Sequence, residues 1–151
     1  MNANYLANSI DSADNKDMSC CPGQILAYAL PYPIADIEKM EAALQVYENR
    51  LLTPVGLRNS CKGDPMYEKN SDITPFYLGF LAEIYLKVYG ESGMAKAETL
   101  YRSFDTKLNE IQSPCFYEKF SAEPPYEGKG SPLCAVTIAA INRIKMLIDQ
   151  F

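Results

Sequence analysis

The sequence predicts an all-α chain, and three observations carry that expectation. Apolar residues recur three and four apart in several separate segments. No segment shows a sustained alternation of apolar and polar residues, the mark of a half-buried strand. Prolines and glycines collect in two long stretches, 52–73 and 112–131, which leaves the remainder to helices.

Residues 1 to about 21 cluster Asn, Ser and Asp without periodicity and read as a loop-like lead-in, with 22–151 as one helical segment. Pro22 suits a first helical position, and Ile25, Leu26, Tyr28, Ala29 and Leu30 make a short apolar helix stopped by Pro31 and Pro33. Ile37, Met40, Leu44, Tyr47 and Leu51 form the apolar stripe of a second helix, with Glu38, Lys39, Glu41 and Glu48 opposite. Thr74-Pro75 opens a third helix that Gly90 closes. Phe76, Leu78, Phe80, Leu81, Ile84, Tyr85 and Val88 make it apolar on several sides, as an inner helix must be. Ala97, Leu100, Phe104, Leu108 and Ile111 give an amphipathic fourth, beginning near Ser92. Leu133, Val136, Ala140, Ile141, Ile144, Leu147 and Ile148 give a fifth, from Pro132 onward. The third and fifth are expected to be the most buried. Buried helices alternating with amphipathic ones suit a partial α/α toroid of helical hairpins, here about five helices, the C-terminal portion of a six-hairpin barrel. Inner helices without neighbours would then favour self-association or docking to a missing N-terminal portion.

Composition removes several functional classes. Lys+Arg 14 against Asp+Glu 19 gives a net charge of −5, which disfavours a nucleic-acid partner. No run of about 18 apolar residues occurs and the first residues lack a basic region followed by an apolar one, so no membrane association is expected and the chain reads as soluble and cytoplasmic. Cys20, Cys21, Cys61, Cys115 and Cys134 are odd in number and lack C-x-x-C spacing, so they read as thiols rather than a disulfide framework or metal site. Histidine is absent, which withholds the usual partner of a Ser or Cys nucleophile.

Two stretches carry the candidate chemistry. In the first, Leu51-Leu52-Thr53-Pro54-Val55-Gly56-Leu57-Arg58, followed by Asp64-Pro65-Met66-Tyr67, a helix ends, the chain turns and Arg58 is left as a fixed cation on a connecting loop. In the second, Phe116-Tyr117-Glu118-Lys119-Phe120, a carboxylate stands among aromatics, a setting that desolvates and positions it. The first stretch resembles the segment L-L-T-P-x-G-L-R…D-P-x-Y of bacterial and archaeal glycogen debranching enzymes, the amylo-α-1,6-glucosidase family. Tyr117-Glu118-Lys119-Phe120-Ser121-Ala122-Glu123-Pro124-Pro125-Tyr126 is similar to that family's S-E-I-F-D-G-D-P-P-H without a gap.

The resemblance implies hydrolysis of α-1,6-linked glucosyl stubs on a glycogen-like α-glucan by inversion, with water as nucleophile and no cofactor. It implies that Glu118 is the general base. As substrate-binding candidates it singles out Arg58 for sugar hydroxyls, Tyr117 for stacking and Gln24 within Asp17-Met18-Ser19-Cys20-Cys21-Pro22-Gly23-Gln24, similar to the family's D-A-S-I-R-P-N-Q. For Arg58 the residues alone leave a salt bridge that pins the loop as an equal alternative.

Departures from the family pattern are equally specific. Ala135 and Thr137 stand where the family has Gln and Trp in A-Q-A-W-S-V-A-E, Cys21 replaces an arginine, and the family's histidine-containing loop before Leu78-Gly79 is reduced to 70–77. No general acid is assignable. Asp64 and Asp72 are available carboxylates whose simpler roles are turn and cap. An isolated chain lacking half of the carboxylate pair is expected to be inactive, and the rival reading is a non-catalytic helical interaction module or degenerate glucan-binding relic.

Overall fold

A computed structural model describes residues 4–32, 34–64, 67, 72–112 and 115–150. The helices lie close to where the apolar spacing puts them. After a 3₁₀ turn at Pro22–Gln24 come α1 (Ile25–Ala29), α2 (Ile37–Arg50), α3 (Tyr77–Tyr89), α4 (Glu91–Glu110) and α5 (Ala135–Asp149). Asp36 caps α2 by accepting a hydrogen bond from the Lys39 amide at 2.9 Å. α3 runs through the middle of the core, packing against α1, α2, α4 and α5.

The all-α expectation is wrong. Five antiparallel strands form a sheet in the order β3 (Leu52–Thr53), β4 (Gly56–Arg58), β5 (Ile73–Thr74), β6 (Lys119–Phe120) and β7 (Gly128–Lys129). Leu57, Ile73 and Phe120 on it are fully buried, so the sheet belongs to the core. Both stretches read as connecting loops are therefore its source. Each strand is only two or three residues long, too short to display a period of two, and β5 finds its partner β6 far along the chain, where Ile73 faces Phe120. The helical toroid built on the all-α reading falls with it.

Within the sheet, β3 and β4 are joined by a two-residue turn, Pro54-Val55, with Thr53 opposite Gly56. Gly56 holds φ +148, and a Cβ there would meet the Thr74 carbonyl oxygen at 2.7 Å, so only glycine lets β4 lie this close to β5.

The segment read as a loop-like lead-in contains a small exposed hairpin, β1 (Ser9–Ile10) with β2 (Lys16–Asp17). It is tied to the body through Cys20, whose amide donates to Asp64 Oδ2 at 3.2 Å, and Asp64 Oδ1 accepts from Arg50 at 3.2 Å. Pro65, Met66 and the 68–71 part of the expected loop, like Pro33, lie outside the described residues.

α5 is less buried than its stripe suggests. Thr137, Ala140, Ile141 and Ile144 face inward, but Val136 and Met146 are 51% and 60% exposed. They border an apolar groove of about 790 Å³ between α3 and α5, floored by Gly79, Phe80 and Ala139. Among the described residues no helix is long and apolar enough to cross a membrane, and no group of three or more His, Cys, Asp or Glu side chains is placed to hold a metal ion.

Candidate active site

The hairpin that carries Glu118 is held by main-chain bonds on both limbs. The Glu118 amide donates to the Ser131 carbonyl at 3.0 Å, the Cys134 amide to Phe116 at 3.0 Å and the Ser121 amide to Glu127 at 2.9 Å. At its tip the Ser121 hydroxyl donates to the Glu123 carbonyl at 3.0 Å and accepts from the Glu127 amide at 2.9 Å. Aromatic packing fixes the base. Phe104 of α4 stacks on Phe116 at 6.2 Å and meets Phe120 edge-on at 6.3 Å, while Tyr117 meets Phe120 at 6.0 Å. Thr137 of α5 closes the other side, its hydroxyl donating to the Tyr117 carbonyl at 2.9 Å.

Arg58 is the bolt between the two stretches. Its side chain is only 11% exposed, and Nη1 donates to the Ala122 carbonyl and lies 3.6 Å from Glu123 Oε1. The same carboxylate oxygen takes Lys62 Nζ at 2.5 Å and the Tyr67 hydroxyl at 3.5 Å. The Lys62 ammonium, with help from Arg58, holds the Glu123 carboxyl below the ordinary carboxylate value. These contacts of Arg58 are to protein groups of the hairpin.

Glu118 stands at the hairpin's edge with its side chain exposed. Its carboxylate lies against Gly130, where an added Cβ would approach Oε2 to 2.7 Å. Among the described residues it has no ion-pair partner, whereas its neighbour Lys119 and the cross-strand Lys129 both turn to Asp72, at 3.9 and 2.8 Å. The aromatics flanking it in sequence go elsewhere: Phe116 onto Phe104, Tyr117 onto Gly128. The aromatic shielding expected from the sequence is therefore absent, and what remains is a carboxylate without an ion pair among the described residues, on a hydrogen-bonded hairpin, able to accept a proton from water.

The structure brings Arg58, Tyr117 and Glu118 to one hairpin and leaves Gln24 out of it. Gln24 is buried, donating from Nε2 to the Ser19 carbonyl at 3.0 Å and accepting from the Tyr47 hydroxyl at 3.1 Å. Asp64 and Asp72 are likewise engaged, with Cys20 and Arg50 and with the two lysines. Sequence reasoning missed the anchoring role of Glu123 and the closeness imposed by Gly128 and Gly130. Gly128 was the available signal, since a glycine within a strand marks a site of close approach.

An exposed carboxylate on a hydrogen-bonded hairpin, whose tip is clasped by an arginine of strand β4, defines a candidate acid–base site on a mixed helix-and-sheet scaffold. A family profile described as Amylo-alpha-1,6-glucosidase matches residues 1–143, and the chain belongs to that family. The match bears out the resemblance to the glycogen debranching enzymes. No curated protein and no solved structure matches the chain.

Proposed function

We propose that the chain supplies the general base of an inverting glucosidase acting on the α-1,6-glucosidic branch points of a glycogen-like α-glucan. Glu118 would take a proton from the water that attacks the anomeric carbon, while an acid protonates the leaving oxygen as the old bond breaks. Inversion needs these two carboxyl groups about 6.5–9.5 Å apart so that the water fits between them. The observation that carries the reading is the state of Glu118 itself, exposed, free of an ion pair among the described residues and held by the Ser131 hydrogen bond, in a chain of this family. Arg58 contributes by positioning the hairpin through Ala122 and Glu123, rather than by touching sugar. The general acid is not assigned to this chain, so by itself it is expected to leave an α-1,6-glucoside intact.

A leaving group that departs without protonation tests the base separately from the acid. α-Glucosyl fluoride meets that requirement. The chain should release fluoride from it, isomaltose should remain uncleaved, and Glu118→Gln should lower fluoride release by about a hundredfold or more. Release that is absent, or equal in the variant, would reject the proposal. One observation favours the rival reading of a non-catalytic glucan-binding module. Thr137, standing where the family has tryptophan, is buried and bonded to the Tyr117 carbonyl, which removes an aromatic surface for a sugar. Glucan binding without fluoride release would support that rival.

A further inference from the structure

Between the C-terminal end of α4 and the hairpin runs a groove of about 550 Å³. Tyr117 and Tyr126 line it, and Lys107, Glu110, Gln112 and Glu127 supply its polar groups. Lys107 Nζ donates to Glu110 Oε2 at 2.7 Å and sits 5.5 Å from the centre of the Tyr126 ring. Tyr117 lies so close over Gly128 that an added Cβ would reach its Cδ2 at 2.1 Å. Two residues further, the same segment carries Gly130, against which the Glu118 carboxylate lies. Tyr117, which lines the groove, directly precedes Glu118 in the chain.

This groove is more polar than the apolar one between α3 and α5. An ammonium and a carboxylate in mutual contact offer a donor and an acceptor side by side, the arrangement that two neighbouring ring hydroxyls satisfy together. Glu127, exposed, and the Gln112 amide add an acceptor and a further donor–acceptor pair. Tyrosine surface suits the C–H face of a sugar ring. Two carboxylates against one ammonium disfavour a phosphate or any other anion. We infer that this groove is a subsite for one neutral glucosyl unit of an α-glucan, next to Glu118; the inference rests on the glucan reading above but concerns where the sugar sits, not the proton transfer.

The test is a titration of the isotopically labelled 151-residue chain with isomaltose, followed by amide resonances. Saturable shifts are expected at Glu110, Gln112, Glu127 and Gly128, and Glu110→Gln combined with Glu127→Gln, both at exposed positions, should weaken binding by about tenfold. Glucose 6-phosphate should bind no more tightly than isomaltose. Absence of saturable shifts at these residues, or binding that the double variant leaves unchanged, would overturn the subsite. Failure of fluoride release with this titration intact would remove the base assignment and leave the subsite standing.

Discussion

Arg58 donates a hydrogen bond from Nη1 to the main-chain carbonyl of Ala122, 64 residues further along the chain. The bond fastens the end of β4 to the tip of the Glu118 hairpin, and Glu123 reinforces it from the next position at 3.6 Å. The guanidinium is mostly buried, so truncation would strand the Ala122 carbonyl, while Glu123 would keep Lys62. Arg58→Ala is expected to cost about 2 kcal/mol of unfolding free energy. Arg58→Lys, which keeps the charge but loses the fork, should recover only part of it. Denaturant unfolding of the three proteins checks this, and unchanged stability in the alanine variant would show that the bolt carries no load.

Tyr117 owes its position to the missing side chain at Gly128. Gly128→Ala would place a methyl group 2.1 Å from the Tyr117 ring, within an aromatic cluster that also contains Phe120. The ring must leave, and the expected destabilisation is about 1–3 kcal/mol, as for other overpacked sites. Near-ultraviolet circular dichroism should report the displaced tyrosine. An unaltered spectrum and stability would contradict the packing described.

Tyr47 and Tyr85 are buried in the core, and burial pushes both phenols well above their ordinary value of 10.0. A group whose proton is held more tightly in the folded state contributes stability that is complete below its unfolded value and is lost above it. The contribution of these two phenols should therefore be complete up to about pH 10 and be lost as pH rises further. Tyrosinate absorbance of these two residues should appear only together with loss of helical circular dichroism. Their ionisation in a chain that keeps its helicity would contradict the burial.

How far the sequence was legible follows from the range of each signal. α2, α3 and α4 announce themselves locally, through stripes such as Ala97, Leu100, Phe104 and Leu108 and through stops such as Gly90, which holds φ +56 between α3 and α4. The sheet does not, because Ile73 gains its strand character from Phe120 and Arg58 from Ile73, partners that no short window contains. The same limit applies to the site. Arg58, Tyr117 and Glu118 stood out through family resemblance, and the structure brings Arg58 of β4 against the hairpin that carries the other two. The groove residues Lys107 and Glu110 look, in sequence, like an ordinary ion pair on a solvated helix face, and only the hairpin folded beside them gives that pair a possible ligand.

The central claim, that Glu118 activates water for attack from the face opposite the leaving group, is tested most directly by the anomer first formed from α-glucosyl fluoride. Nuclear magnetic resonance recorded before the product mutarotates distinguishes the two outcomes. The account predicts β-glucose as the first product of the wild-type chain and none above background from Glu118→Gln. First appearance of α-glucose, or β-glucose formed equally by the variant, would contradict it.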